Sequence, residues 1–386
     1  MHISAATRRS PPRWPTASHP AVIPLTAETE QRSTAERQHH RDLIVVGASA
    51  GGVEALRDLM SGLPVGLPAA VLVVLHLPAG GTSALAEILD RAGALPVRTA
   101  GHGNRIELGH VYVAPPDNHL LVEGDWSALS RGPTENGHRP AVDALFRSAA
   151  LARGPRVIGV VLSGVLDDGT AGLVAIKSRG GLAMVHDPAD AGYAGMPESA
   201  LRTVRADHVL AAREMGAQLD AVVRKPLRSD IAPDPTPLLR YEDAVAGNRL
   251  VTAFDMDRIG RYAGLTCPEC QGSLLALEPG QDRFRCPVGH AWTADALLST
   301  ADDRMQTALW TALRTLEEKA RLAAQMAVSA HNRGSEHLAT TYEQTAEETS
   351  HAAGVLRDRL TTQDTHHTSQ STTQTAGTGD AKTGER

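Results

Sequence analysis

The sequence predicts an α/β fold: a doubly wound, mostly parallel sheet with helices on both faces, followed by a small cysteine-bearing module and C-terminal helices. Three observations lead there. Strand-length apolar runs at 42–47, 69–76, 157–163 and 182–186 alternate with helical patterns at 53–60, 83–92, 141–152 and 171–179, the rhythm of a parallel sheet covered on both sides. Hydrophobic residues make up 42% of the chain and aromatics only 3%, so Ala, Val and Leu must do the packing, which favours close helix–sheet layers. All three cysteines fall between 267 and 286, beyond the alternating region.

In chain order, residues 1–41 are expected to be a disordered extension. The first 27 carry Arg and Ser but no acid, as transit peptides do, yet Pro11, Pro12, Pro15, Pro20 and Pro24 oppose an amphipathic helix. The α/β domain is placed at 42–222, opening with the strand–turn–helix unit Asp42-Leu-Ile-Val-Val-Gly47 to Met60. Within it, the segments around 109–114 and 119–122, separated by Pro115-Pro-Asp-Asn118, read as a hairpin that gives the sheet a mixed edge. A linker rich in Pro, Arg and Asp follows at 223–263, then a cysteine module at 264–300. Residues 301–360 lack proline and read as helical, with Leu309, Trp310, Leu313, Leu316 and Leu322 near helical spacing for a core or partner face. The Thr/Gln/Gly/Ser stretch 361–386 has too few apolar residues to fold and is expected to be disordered.

Composition excludes several function classes. A formal net charge of −6 gives no general attraction to nucleic acid or anionic lipid, so neither is an expected partner. No run approaches the ~20 apolar residues of a membrane helix, so direct membrane insertion is not expected. Three cysteines cannot make a fully paired disulfide framework and suit a reducing compartment, so a cytoplasmic location is expected.

Gly47-Ala-Ser-Ala-Gly51 satisfies G-x-S-x-G and has a strand before it and a helix after it. Small neighbours allow a tight turn that exposes Ser49, and Gly51 and Gly52 free N–H groups at the helix start for developing negative charge. A glycine-rich phosphate or dinucleotide turn is the competing reading. A serine hydroxyl needs a base within ~3 Å. His76 ends the run Val71-Leu-Val-Val-Leu-His76, which places it at the carboxyl end of a buried strand, where catalytic groups collect in such sheets; a packed histidine is the alternative. Asp168, in Gly164-Val-Leu-Asp-Asp-Gly169 after the strand 156–163, could orient that imidazole or simply cap a helix, with Asp167 as its control. The order Ser, His, Asp differs from that of ordinary α/β-hydrolases.

Together these segments resemble the catalytic domain of the CheB protein-glutamate methylesterases over about residues 42–222. Supporting matches are 109–119, Arg139-Pro-Ala-Val-Asp-Ala-Leu-Phe146 and Met196-Pro-Glu-Ser199. The resemblance implies Ser49 as nucleophile, His76 as base, Asp168 rather than Asp167 as orienting acid, and the Val165 N–H as an oxyanion-hole donor. It implies a carboxylic ester hydrolase that needs no catalytic cofactor and acts on glutamyl methyl esters of methylated chemoreceptor signalling helices. The sequence departs from the family at Ala50, where a hydroxyl residue is usual, and at Val165-Leu166, which replaces a frequent Met-Gly. Residues 1–41 are too short for the family's usual receiver domain, so activation by phosphorylation within this chain is not expected.

Cys267-Pro-Glu-Cys270 and Cys286-Pro-Val-Gly-His290 supply a Cys₃His ligand set for structural zinc, with strands at 274–277 and 283–285 completing a zinc-ribbon-like module. Reduced cysteines in a metal-free module are the alternative. The competing function is a signalling scaffold that binds partners through a silent esterase fold and the zinc-helical tail, and a small-molecule esterase is a third reading.

Overall fold

The computed structural model describes residues 40–78, 80–81, 83–249, 260–277 and 282–373, with side chains to 361. The expected N-terminal extension therefore lies, to residue 39, outside the described residues, as does the end of the expected tail, 374–386.

In chain order the elements are β1 (Leu43–Ala48), α1 (Gly52–Ser61), β2 (Ala70–Leu75), α2 (Leu85–Asp90), β3 (Val97–Thr99), β4 (Asn104–Arg105), β5 (Val111–Val113), β6 (His119–Glu123), β7 (Trp126–Ser130), α3 (Val142–Arg153), β8 (Val157–Val161), α4 (Thr170–Ser178), β9 (Leu182–His186), α5 (Gly195–Thr203), β10 (His208–Leu210) and α6 (Ala212–Val223). After these come α7 (Pro237–Ala246), β11 (Arg261–Thr266), β12 (Ser273–Ala276), β13 (Arg283–Arg285), β14 (Ala291–Thr293), α8 (Ala294–Asn332) and α9 (Glu336–Thr373).

Seven strands form one sheet in the order β10-β9-β8-β1-β2-β5-β3, with every pairing parallel. Alternation divides β1 and β2 between two cores. Leu43, Val45, Ala70, Leu72 and Val74 pack with Val142, Phe146, Leu173 and Met196 of α3, α4 and α5. Ile44, Val46, Val71 and Val73 pack with Leu56, Leu59, Leu89 and Met215 of α1, α2 and α6 on the other face. A sheet buried on both faces explains why its strands read as unbroken apolar runs.

Among the described residues the sheet has no antiparallel edge, contrary to expectation. The 109–122 hairpin is also a misreading: β5 joins the parallel sheet between β2 and β3, and β6 turns back on β7 in a separate antiparallel sheet of order β4-β7-β6. The physical reason is burial. Val111, Tyr112 and Val113 are all buried, which suits an interior strand, and the Pro115-Pro116 turn carries the chain between sheets.

The expected linker 223–263 contains a helix, α7. Thr236 caps it by accepting from the Leu239 N–H at 3.1 Å, and Pro237 stands at its first position, where a missing N–H costs nothing. Strands β11 to β14 form a four-stranded antiparallel sheet that carries the cysteines. Helix α8 starts at 294 instead of 301, and α9 runs through 373, beyond the expected end at 360. The Thr/Gln run after 361 holds neither proline nor glycine before Gly377, so nothing local stops the helix. The two helices, each about 58 Å long, turn at Gly334 and meet along a seam of Leu313, Ala320, Ala327, Ala353 and Leu360, while Trp310 and Leu322 are exposed. Among the described residues no helix is long and apolar enough to cross a membrane.

Candidate active site

Three adjacent strands of the parallel sheet, β8, β1 and β2, deliver the candidate site. Their register is carried one residue past their ends: the Ser49 N–H donates to Ser163 O at 2.9 Å and the His76 N–H to Ala48 O at 3.2 Å. Ser49 and His76 therefore stand side by side at the carboxyl edge, beside the point where the chain switches direction across the sheet, the usual position for ligand sites in such folds.

The turn after β1 is constrained from both sides. Gly51 adopts a left-handed backbone, φ 67°, immediately before α1, a conformation that glycine adopts without a Cβ penalty. A Cβ on Gly47 would lie 2.1 Å from Val142 Cγ1, so only glycine lets β1 pass beneath the start of α3. The aspartate loop is held by its neighbours. Ser163 Oγ donates to Ala50 O at 2.8 Å and accepts from the Tyr193 N–H at 2.9 Å, while Gly164 donates to Tyr193 O and accepts from the Met196 N–H.

His76 joins the other two groups. Its Nδ1 is 3.2 Å from Ser49 Oγ and its Nε2 is 2.7 Å from Asp168 Oδ2. Asp168 is buried, yet three donors meet its carboxylate, because Oδ2 also accepts from the Val142 N–H at 2.8 Å and Oδ1 from the Asp143 N–H at 3.0 Å. Burial alone pushes this carboxyl up, but the His76 hydrogen bond, the His76 charge and the two backbone donors outweigh it and hold Asp168 below the usual carboxylate range. An ionised carboxylate only accepts, so Nε2 carries the imidazole proton and Nδ1 presents its lone pair to Ser49. That tautomer is the one a general base requires.

Asp167 points elsewhere. It accepts from Thr293 Oγ1 at 2.8 Å, and burial first, with the charges of Asp168 and Asp295, raises its carboxyl to about 6 against the hydrogen bond from Thr293. Val165 is exposed on the loop. Its peptide borders Ser49, because a Cβ on the preceding Gly164 would lie 3.0 Å from Ser49 Cβ. Tyr193, also exposed, packs against Gly51, so Ser49 sits at an open surface rimmed by apolar side chains.

Two residues of this site were missed by the sequence reading. His138 stacks on His76 with ring centroids 3.9 Å apart and planes 10° off parallel. Burial, then the His76 charge, lower its imidazole to about 4 against the pull of Asp168, so the stacked ring is neutral. Asp143 accepts from the N–H groups of Gly169 at 3.0 Å and Gly172 at 2.6 Å, fixing the start of α4 behind Asp168. Burial and the Asp168 charge raise this second carboxyl to about 8.

Cys267, Cys270, Cys286 and His290 come together with their ligand atoms within 4.8 Å of one another. Tetrahedral zinc with bonds of about 2.3 Å to sulfur and 2.0 Å to nitrogen needs ligand atoms about 3.5–3.8 Å apart. The site offers 3.5 Å for Cys270 Sγ to Cys286 Sγ, and 3.5 Å and 3.8 Å from His290 Nδ1 to Cys286 and Cys267. The other nitrogen, His290 Nε2, lies 3.1 Å from Glu269 Oε2, the carboxylate partner that zinc-bound histidines commonly keep. The donor set fits the metal, and three of its ligand pairs stand at tetrahedral spacing.

A family model described as CheB methylesterase matches residues 44–219. Protein-glutamate methylesterase/protein-glutamine glutaminase 2 of Methanosarcina mazei is 40% identical over 210 residues, 52% of this chain and 57% of the relative. The protein-glutamate methylesterase/protein-glutamine glutaminase of Ralstonia nicotianae is 38% identical over 200 residues, 51% of each chain. The crystal structure of the Thermotoga maritima CheB methylesterase catalytic domain is 34% identical, covering 47% of this chain and 98% of that one, with a TM-score of 0.46. The chain spans about half the length of the curated relatives it matches.

Proposed function

From the premise that residues 44–219 are a domain of the CheB methylesterase family, we propose that this chain is a serine esterase hydrolysing glutamyl methyl esters of chemoreceptor-like proteins to glutamate and methanol. The observation that carries the reading is the chain of contacts from Ser49 through His76 to Asp168 at the ends of three adjacent strands. Ser49 Oγ attacks the ester carbonyl as His76 Nδ1 takes its proton, and Asp168 stabilises the imidazolium so formed. The Val165 N–H is the oxyanion donor of this reading, since the Gly52 N–H at the start of α1 is taken by Ser49 O at 2.9 Å. His76 then returns its proton to the departing methoxide, which leaves as methanol. Water, deprotonated by the same imidazole, cleaves the acyl-enzyme, releases glutamate and restores Ser49. No cofactor enters these steps.

The open setting of Ser49 between exposed Val165 and Tyr193 suits an ester on a protein surface better than an enclosed small substrate. Methylated signalling helices of a receptor in the cytoplasm are the substrate of this reading, in chemotaxis or a related sensory pathway. Structural zinc at Cys267, Cys270, Cys286 and His290 belongs to the same proposal, supported by the ligand spacing. The relatives' names favour a second reaction, deamidation of protein glutamine, in which ammonia replaces methanol as leaving group and the same atoms act.

The test is methanol and ammonia release from a methylated receptor fragment. Ser49→Ala lowers both by at least about a thousandfold. Equal release by that variant refutes the assignment.

A further inference from the structure

Three sets of contacts join the cysteine module to the two segments that hold His76. The first is the aspartate loop. Leu166 has a left-handed backbone, φ 60°, which is unfavourable for a residue with a branched side chain. Its side chain packs against the module's apolar cluster of Cys267, Leu274, Cys286, Trp292 and Ala296. The next residue, Asp167, is bonded to Thr293, and the one after it holds His76. A strained peg seated among metal-ligand cysteines, one residue from Val165 and two from Asp168, ties the geometry of this loop to the geometry of the cluster.

The second set is the turn at 134–138, where Asn136 and Gly137 both take positive φ and the Glu135 and His138 backbones bond each other. Strand β14 runs along this turn as an added strand. The Asn136 N–H donates to Ala291 O at 2.8 Å, the Ala291 N–H to Thr134 O at 3.2 Å, and the Thr293 N–H to Asn136 Oδ1 at 2.8 Å. The turn ends at His138, the ring stacked on His76. The third set starts at the ligands themselves. Glu269, beside His290 Nε2, also accepts from Thr134 Oγ1, and Arg285, adjacent to Cys286, reaches Glu135 at 3.3 Å in the buried interior.

We infer that metal held by Cys267, Cys270, Cys286 and His290 sets the geometry of the esterase site, with Leu166 and His138 as the positioning residues through which it acts. This inference rests on the reading of Ser49 as an esterase nucleophile. The physical argument is that the four-stranded module has a small apolar cluster of its own and draws its order from the metal, as small metal-closed modules do. Without the metal, nothing fixes the three sulfurs and the imidazole within 4.8 Å of one another, and the surface on which Leu166 and Asn136 are seated loosens. Loop 164–168 and turn 134–138 relax with it, and His76 loses its stacking partner and the firm placement of its carboxylate.

The test uses the full chain loaded with zinc, a strong zinc chelator, and zinc added back. Zinc content, hydrogen exchange of peptides covering 134–138 and 164–168, and turnover of methylated receptor fragment are followed together. Removal of zinc is expected to speed exchange in both segments and to lower kcat about 10–100-fold with KM little changed, because misplacement of catalytic groups by about an ångström has that effect. Zinc restores both. Leu166→Gly, which relieves the backbone but removes the peg, keeps zinc and shows the same fall in kcat, and Leu166→Met, which refills the seat, recovers most of it. If the chain unfolds without zinc, the zinc-loaded Leu166→Gly variant decides. Unchanged exchange in both segments after zinc removal, full kcat in the zinc-free chain or in Leu166→Gly, or failure of the purified chain to hold zinc each overturns the inference. A zinc-loaded wild type that hydrolyses nothing overturns the esterase reading instead, and the exchange data then still decide whether metal and site are coupled.

Discussion

Asp168 shows how a buried charge is made tolerable at the scale of one residue. An isolated carboxylate in the interior costs several kcal/mol, and here the His76 imidazole and the N–H groups of Val142 and Asp143 offset that cost and keep the group ionised. His138 makes the complementary arrangement, a neutral ring against His76. Unfolded, its imidazole titrates near 6.5, whereas in the fold it takes a proton only at about 4. The unfolded chain therefore binds the extra proton between those values, so stability is lost as pH falls through that window and is unaffected above it. His138→Gln is expected to flatten this part of the acid limb by on the order of 1–3 kcal/mol, read as a smaller drop in unfolding free energy between pH 7 and 4.5 than in wild type. An equal drop in both proteins contradicts the assignment. Ser49 and His76 could be picked from the sequence because each follows directly on an apolar run, and Asp168 because it stands in the loop after a third, where strand ends collect chemistry. His138 could not, being one of seventeen histidines and following a turn instead of a strand. The Asn136-Gly137 pair before it was the available signal.

Among the elements, the crossing of β1 and α3 is the tightest. Gly47 lies against Val142, whose N–H also holds Asp168, so packing and chemistry share one contact. Gly47→Ala forces a methyl into an occupied space and is expected to cost about 1–3 kcal/mol, with a lower melting temperature and slower turnover. Val142→Ala in the same chain vacates that space and recovers part of the loss. Full stability in Gly47→Ala alone contradicts the packing argument. The alternating strands and helices of the α/β domain were legible because apolar runs of strand length do not sustain helices. The pairing of β5 was not, since a three-residue buried strand followed by two prolines carries no mark of its partner. Helix α7 was read as linker because its segment is rich in Pro, Arg and Asp, yet Pro237 occupies the first helical turn, where a proline is tolerated.

Across the whole molecule, the sequence showed a cysteine set of zinc spacing but not where the module docks, since docking depends on buried partners far apart in the chain. Glu135, Arg147, Glu242 and Arg285 form one such buried ionic cluster, which joins α3, α7 and β13. Each charge there has an opposite partner, and removing one would strand the others in the interior. Leu166 keeps its left-handed backbone where its side chain is seated against the docked module's apolar cluster. Above this scaffold, three side chains brought from residues 49, 76 and 168 by adjacent strands are proposed to make one serine hydroxyl nucleophilic. The most direct measurement is covalent capture of the folded chain by a fluorophosphonate, followed by mass spectrometry of its peptides. Label is predicted on Ser49, at a rate that falls at least about a hundredfold in His76→Ala and Asp168→Asn. Label spread over other serines, or an undiminished rate in both variants, would show that Ser49 is not activated by His76 and Asp168.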